Sequence, residues 1–175
     1  MTVLRALVVG VVLSGSVVGA QVRRPSFLDE APTRGRLETR HLQAAIDGPV
    51  RVAADGRALV TVLVTPLPGM HVYAADVDGG YVPFTLATTA LTGLRAGTPA
   101  YPKAEMYVFP PTGESSRVYM APFRASLPLT LSAELRRKVA AGVVAGGTLT
   151  LRYQACDDTV CYRPTTGTLA FDFES

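Results

Sequence analysis

The sequence has no tryptophan, only two cysteines and two histidines, and no long apolar run beyond its first twenty residues. A cysteine pair without a second cysteine cluster argues against a structural zinc site, which takes four ligands. Basic residues outnumber acidic ones by only 17 to 14 and are scattered, so no stripe resembles a nucleic-acid-binding surface. A membrane-spanning helix needs about 20 apolar residues. We therefore expect no nucleic-acid partner and no membrane span after the first twenty residues.

The composition is that of a globular domain with one core. Of the 175 residues, 48% are hydrophobic and 18% are charged, which is sufficient for a single hydrophobic core. The 16 glycines and 13 prolines are spread along the chain rather than clustered. Turn-forming residues distributed in this way favour many short strands over a helical bundle. The sequence therefore predicts an all-β fold.

The first twenty residues have the features of a secretory signal peptide. Residues 1–5 carry a positive charge, residues 6–18 are apolar, and residues 18–20 are small enough for cleavage before Gln21. An uncleaved membrane anchor is the alternative, whereas a lipid anchor lacks the cysteine that it would need near the cleavage point. We expect a bacterial protein that is periplasmic or secreted.

The rest of the chain divides into a leader and a β-rich domain. Residues 21–41 contain five arginines and two prolines with little hydrophobic periodicity, so we expect a loose leader. The domain is expected over residues 42–175, where short apolar runs alternate with turn signals. The patterns predict strands at residues 58–65, 70–74, 82–88 and 117–129, a long loop at 101–114 and a short helix at 131–141.

The clearest alternation of apolar and polar residues flanks the two cysteines. Residues 148–155 and 168–173 both have the period of two that is typical of strands. They predict a hairpin with Cys156 and Cys161 at its tip. The spacing of strands along the domain suits an immunoglobulin-like antiparallel β-sandwich, although the cysteine and tryptophan landmarks of that fold are missing.

Four residues separate Cys156 from Cys161, and this spacing at a hairpin tip permits a disulfide. In an exported protein the pair is expected to be oxidised. Closing so short a loop contributes only about 2 kcal/mol of stability, against about 4.7 for a loop of a hundred residues. This comparison favours a redox role, although a purely structural disulfide remains the alternative. Asp157 and Asp158 should raise the thiol pKa values, which suits a disulfide that is attacked by a partner.

Other chemistry has weaker support in the sequence. Met70, His71, Met106 and Met120 together with the cysteines are ligand types that bind copper, but they have no tight spacing. Neither His41 nor His71 lies beside a recognisable nucleophile motif of a hydrolase. We therefore predict no metal site and no cofactor.

The cysteine segment resembles a known redox hairpin. Residues 153–164 read Tyr-Gln, a small residue, Cys, four residues, Cys-Tyr and then Pro. This pattern is similar to the N-terminal periplasmic domain of the thiol:disulfide interchange protein DsbD. Residues 68–73, 116–119 and 127–129 resemble further strands of that family, so that the resemblance extends over residues 42–173.

The resemblance implies a function and the roles of the two cysteines. It implies an immunoglobulin-like domain that receives electrons from a thioredoxin-like protein and passes them to a periplasmic disulfide isomerase or another thiol protein. Carried over to this chain, Cys161 forms the mixed disulfide and Cys156 resolves it. The alternative from another class is an exported binding or assembly module whose disulfide is only a clamp.

The same resemblance implies an aromatic cap over the disulfide. The cap would lie within residues 101–114, where Tyr107 and Phe109 are the candidate shielding rings. Tyr153 and Tyr162, on either side of the cysteines, are candidates for lining the same pocket.

Overall fold

The computed structural model describes residues 33–174, where alternating apolar and polar residues build an all-β immunoglobulin-like sandwich. The expected signal peptide, residues 1–20, and the leader as far as residue 32 lie outside the described residues. The strands are β1 (Thr33–Arg34), β2 (Arg36–Glu38), β3 (Leu42–Ile46), β4 (Val50–Arg51), β5 (Arg57–Pro66), β6 (His71–Tyr73), β7 (Thr85–Thr88), β8 (Leu94–Ala96), β9 (Glu105–Phe109), β10 (Glu114–Tyr119), β11 (Phe123–Leu131), β12 (Gly146–Tyr153), β13 (Ala155–Cys156) and β14 (Thr165–Glu174), and the helix is α1 (Ala133–Ala140).

Two larger sheets and one smaller sheet are present in the described part of the chain. The first has the order β1-β14-β12-β7, with β4 also paired to β14, and the second has the order β2-β3-β5-β11-β8. The smaller sheet has the order β13-β6-β10-β9 and carries Cys156 in β13. Most neighbours are antiparallel, whereas β1 and β4 pair with β14 in parallel.

The core lies between the apolar faces of the long strands. Every second residue of β5 is buried, with Val60, Val62 and Val64 fully inside. β12 repeats the pattern with Leu149 and Leu151. Such a period of two places one face of each strand against the opposite sheet. Removing these apolar side chains from water supplies the main stabilisation of the sandwich.

Several predicted elements are confirmed. The strand at 58–65 is β5, and the two strands that flank the cysteines are β12 and β14, which pair with each other. The predicted helix is α1, in which Leu135 and Val139 are buried. Ser132 caps it because its hydroxyl accepts a hydrogen bond from the Leu135 N–H at 3.2 Å. Leu131, expected in the helix, ends β11 instead.

The loop predicted at residues 101–114 is wrong over its second half. Residues 105–109 form β9, which pairs with β10 in a hairpin. The prolines at 110 and 111 led to the prediction of a loop, but they lie in the turn between β9 and β10 and not within either strand. Gly113 completes this turn with a φ of 71°, a conformation that favours glycine.

The loose leader predicted to reach residue 41 is also wrong where the structure describes it. Residues 33–38 contain β1, which pairs with β14, and β2, which pairs with β3. Strands of two and three residues are too short to show a hydrophobic period, so sequence patterns could not predict them. Within residues 33–174, no helix has the length and apolar character needed to cross a membrane.

Candidate redox site

The smaller sheet turns one face to the core and the other to the cysteines. In β13 and β6, Ala155 pairs with Val72 and Cys156 pairs with His71. Directly paired residues of antiparallel strands point to the same face. Ala155 and Val72 belong to the main core, whereas Cys156 belongs to a second cluster with Tyr73 and Val118. The sheet therefore places Cys156 on its outer face, separated from the main core.

Cys156 and Cys161 form a disulfide, and the two residues differ in exposure. Their Cα atoms lie 4.0 Å apart, and the two residues also form an isolated β-bridge. Cys156 has no exposed surface, whereas Cys161 is partly exposed and packs at the edge of the second cluster. Of the two cysteines, Cys161 is therefore the one that has surface open to solvent.

Asp157 organises the loop between the cysteines. One carboxylate oxygen accepts hydrogen bonds from the N–H groups of Thr159 and Val160, both at 2.8 Å, and from the Thr159 hydroxyl at 2.7 Å. The other oxygen accepts the Tyr162 hydroxyl at 2.7 Å. These four hydrogen bonds hold the pKa of Asp157 well below its usual range. The loop is thus held in shape by its own carboxylate, as in an Asx turn.

Two tyrosines that the sequence analysis missed contact the disulfide side of the sheet. The Tyr73 hydroxyl lies 3.4 Å from the Cys161 sulfur, and the Tyr81 ring stacks on Tyr73 with centroids 4.2 Å apart. The Tyr81 hydroxyl donates to Glu114 at 2.5 Å. Burial raises the pKa of Tyr73, so its hydroxyl stays protonated and can donate to sulfur. The period of two in β6, which puts His71 and Tyr73 on one face, was the only available signal.

The two candidate cap residues lie at different distances from the disulfide along the same strand. Tyr107 packs against the second cluster, its ring lies 4.2 Å from the ring of His71, and its hydroxyl donates to Asp158 at 2.6 Å. This hydrogen bond raises the pKa of Tyr107 to about 12. Phe109 pairs with Glu114 beside the turn and is not among the side chains packed against that cluster. The structure therefore brings Tyr107, but not Phe109, to the disulfide.

The two candidate pocket tyrosines, Tyr153 and Tyr162, lie in different parts of the structure. Tyr162 reaches the disulfide loop through its hydrogen bond to Asp157, and its ring lies 4.6 Å from His41. Tyr153 is fully buried in the main core, where its hydroxyl lies 2.9 Å from the Thr39 hydroxyl. Of these two tyrosines, Tyr162 is therefore the one that contacts the loop between the cysteines.

Both histidines are buried, His41 with 5% and His71 with 3% of its surface exposed. Neither ring nitrogen of His41 has a hydrogen-bond partner among the described residues. Burial lowers the pKa of both imidazoles; the charge of Arg40 adds to this at His41, whereas Asp158 and Asp157 oppose it at His71. The fold therefore favours the neutral form of both rings. Within residues 33–174, no three His, Cys, Asp or Glu side chains are grouped as metal ligands.

The neutral histidines predict a loss of stability in mild acid. Below the ordinary histidine pKa of about 6.5, the unfolded chain binds protons that the folded protein does not, so the free energy of unfolding falls as pH drops. We expect the urea midpoint to decrease from pH 7.5 to pH 5. Asp157, whose pKa is depressed, should lose its contribution only at lower pH.

His41→Gln is the control for this pH dependence, because it removes one of the two titrating groups and should flatten the curve. A midpoint that is constant or rises as the pH falls from 7.5 to 5 would contradict the assignment of neutral, buried histidines.

Comparison with known proteins adds a family and a fold. The family model of the N-terminal domain of the thiol:disulfide interchange protein DsbD matches residues 39–172. The N-terminal periplasmic domain of ScsB from Proteus mirabilis aligns with 16% identity and a TM-score of 0.59, over 79% of this chain and 50% of that chain. This chain thus spans about half the length of that structure, and the likeness shows the fold alone. The GAE domain of GGA2p from Saccharomyces cerevisiae aligns with 6% identity and a TM-score of 0.46, over 79% of this chain and 97% of that chain.

No curated protein matches the sequence. The family model, however, extends over most of the chain and includes both cysteines, the strands that flank them and the smaller sheet. The disulfide at the edge of that sheet agrees with the exchange chemistry that the family is named for. The chain therefore belongs to the family of the N-terminal domain of the thiol:disulfide interchange protein DsbD.

Proposed function

We propose that this protein is an exported thiol:disulfide exchange domain, which relays electrons between a thioredoxin-like donor and periplasmic acceptor proteins through Cys156 and Cys161. The observation that carries the proposal is the unequal exposure of the two cysteines, since Cys161 is partly exposed and Cys156 has no exposed surface. A disulfide with one accessible sulfur suits attack by a partner's thiolate in a defined orientation. The signal-like residues 1–20 and the periplasmic family support export, and both cysteines lie within the proposed domain, residues 42–175.

The reaction begins when a thiolate of the donor attacks the sulfur of Cys161. A new sulfur–sulfur bond joins the donor to Cys161, the bond between the cysteines breaks, and Cys156 leaves with the electron pair and takes up a proton. The second thiol of the donor then releases Cys161. The donor leaves as a disulfide, and the domain holds two electrons and two protons as a dithiol.

The acceptor is reduced by the same steps in the opposite direction. The Cys161 thiolate attacks the disulfide of the acceptor and forms a mixed disulfide. The Cys156 thiolate then attacks the Cys161 sulfur, which restores the disulfide of this domain and releases the acceptor as a dithiol. A periplasmic disulfide isomerase or another thiol protein fits this role, and no cofactor is needed.

Tyr107 is the proposed cap of this site. Its ring packs against the cluster that contains Cys156, and its hydroxyl is anchored on Asp158 in the loop between the cysteines. A ring in this place excludes small thiols until a partner displaces the β9–β10 hairpin. Tyr162 is proposed to line the same pocket.

The reduction potential of the disulfide tests the proposed function directly. We expect a value between about −180 and −270 mV, the range of working exchange proteins, because one sulfur is accessible and the closed loop is short. The measurement is an equilibrium titration of the protein in a glutathione or dithiothreitol redox buffer, with thiols counted after acid quenching.

A potential below about −300 mV, which is usual for structural bridges, would contradict the relay. It would favour the second candidate function, a binding or assembly module with a clamped hairpin. The four hydrogen bonds of Asp157 give that candidate some support, since they already hold the loop without the disulfide.

A further inference from the structure

Cys156 faces a difficulty in the proposed reaction because its sulfur has no exposed surface. The thiolate is the nucleophile in disulfide exchange, yet apolar burial and nearby carboxylates both favour the protonated thiol. Cys156 must nevertheless lose a proton each time it resolves a mixed disulfide, and it must gain one each time it leaves. Water reaches this sulfur poorly, so a group of the protein should carry the proton.

His71 is the titratable group best placed for this transfer. It pairs directly with Cys156 across β6 and β13, so that both side chains share the outer face of the sheet. The Cβ atoms of such a pair lie about 4.5–5.5 Å apart, which is within reach of an imidazole and a thiol. The ring is 3% exposed, and the Tyr107 ring packs on it with centroids 4.2 Å apart.

The other titratable groups around the disulfide already have hydrogen-bond partners. The two carboxylate oxygens of Asp157 accept four hydrogen bonds within the loop, which makes this carboxylate a poor base. Asp158 accepts the hydroxyl of Tyr107 at 2.6 Å. The Tyr73 hydroxyl lies 3.4 Å from the Cys161 sulfur, and burial keeps it protonated. Each of these groups thus already has a contact partner other than Cys156.

We infer that His71 is the proton-transfer residue of this domain, accepting the proton of Cys156 when that thiol resolves a mixed disulfide and returning it when Cys156 leaves. The proton moves between the Cys156 sulfur and an imidazole nitrogen, while the electron pair stays on sulfur and forms the new bond to Cys161. No oxidant or reductant is involved beyond the protein partner in the mixed disulfide. This inference rests on the proposed function.

The electrostatics around His71 fit the transfer in both directions. Burial keeps the imidazole neutral and so ready to accept a proton. Once it is protonated, the Cys156 thiolate and the carboxylates of Asp157 and Asp158 face its positive charge, while Tyr107 and Tyr73 enclose it as neutral rings. A thiolate beside an imidazolium is the arrangement that activates sulfur nucleophiles in other proteins.

The experiment separates the two chemical steps with 5,5′-dithiobis(2-nitrobenzoate). The reduced protein releases one 2-nitro-5-thiobenzoate when Cys161 attacks the reagent and a second when Cys156 resolves the mixed disulfide. Stopped-flow absorbance gives a rate constant for each release. His71→Gln is expected to slow the second release by at least about tenfold at neutral pH, since general acid–base assistance typically supplies about a hundredfold or more. The first release should stay within about twofold of the unmodified protein.

The pH profile distinguishes proton transfer from a structural role. Above about pH 10 the Cys156 thiol ionises without help, so the variant should approach the rate of the unmodified protein. His71→Phe keeps a ring beneath Tyr107 and should be slowed like His71→Gln. His41→Gln removes the only other histidine of the chain, whose ring packs against Tyr153 and Tyr162 rather than pairing with a cysteine, and it should leave the second release unchanged.

Two results would overturn the inference. One is a second release that both variants complete at the rate of the unmodified protein at neutral pH, and the other is a slowing that persists equally at high pH. In either case the release of two equivalents would leave the proposed function intact. A native protein whose disulfide resists dithiothreitol would instead overturn the proposed function and this inference together.

Discussion

Cys161→Ser is expected to slow covalent exchange with a thioredoxin-like partner strongly, whereas Cys156→Ser is expected to trap that partner as a stable mixed disulfide. The reason is the access of the two sulfur atoms, since Cys156 has no exposed surface and Cys161 is partly exposed. In Cys156→Ser the exposed thiol still attacks, but no second thiol remains to release the partner. In Cys161→Ser the remaining thiol is buried, so complex formation should be slower by about a hundredfold or more.

The measurement uses a thioredoxin whose second active-site cysteine is replaced by serine and whose first carries 2-nitro-5-thiobenzoate. Complex formation is followed by the released chromophore and by electrophoresis without reductant. The double variant Cys156→Ser and Cys161→Ser is the control and should form no complex. All three variants lose the same disulfide, worth about 2 kcal/mol for so short a loop, so the loss of the disulfide alone cannot explain a difference in trapping. Equal trapping by the two single variants, or faster trapping by Cys161→Ser, would contradict the assigned roles.

Tyr107→Ala is expected to speed the reduction of the disulfide by dithiothreitol by about tenfold, because a covering ring that must move aside gates access to the site. Tyr107 packs against the cluster that contains the disulfide and is anchored on Asp158. Tyr107→Phe keeps the ring and loses only the anchor, so its effect should be smaller. The rate constant is measured by acid quenching and thiol labelling under an excess of dithiothreitol.

Phe109→Ala is the matched control for the cap. Phe109 lies on the same strand and points to the same face as Tyr107, but it is beside the turn. Its removal should leave the rate of reduction unchanged. If Phe109→Ala speeds the reaction as much as Tyr107→Ala, the hairpin as a whole protects the disulfide and no single ring is its cap.

The larger part of the fold could be predicted from local patterns. β5, β12 and β14 have one buried and one exposed face, so their period of two is visible in the sequence. The helix shows its spacing through Leu135 and Val139. β9 was missed because its residues are mostly exposed or only half-buried, and two prolines follow it directly. A strand that buries little has little hydrophobic period to detect.

The disulfide could be predicted from the sequence, but its surroundings could not. Tyr73 and Tyr81 come from chain segments far from the cysteines and reach them only through the pairing of β6 with β13 and β10. The choice between Tyr107 and Phe109 was also beyond local patterns, since both point to one face of β9. Their difference arises from the register of the hairpin, which places Tyr107 opposite Ser116, farther from the turn.

The hydrogen bonds of Asp157 have a consequence for how the protein meets its partners. None of the four involves a sulfur atom, so breaking the disulfide should leave the loop and its outline nearly unchanged. A partner would then find the same surface on the oxidised and the reduced domain and bind both with similar affinity. After each exchange, the product form of the domain would compete with the reactive form for binding to the partner. Rapid turnover under such product inhibition requires weak, short-lived complexes. Whether electrons are transferred in a complex is then determined by the thiol–disulfide reaction and not by differences in binding affinity.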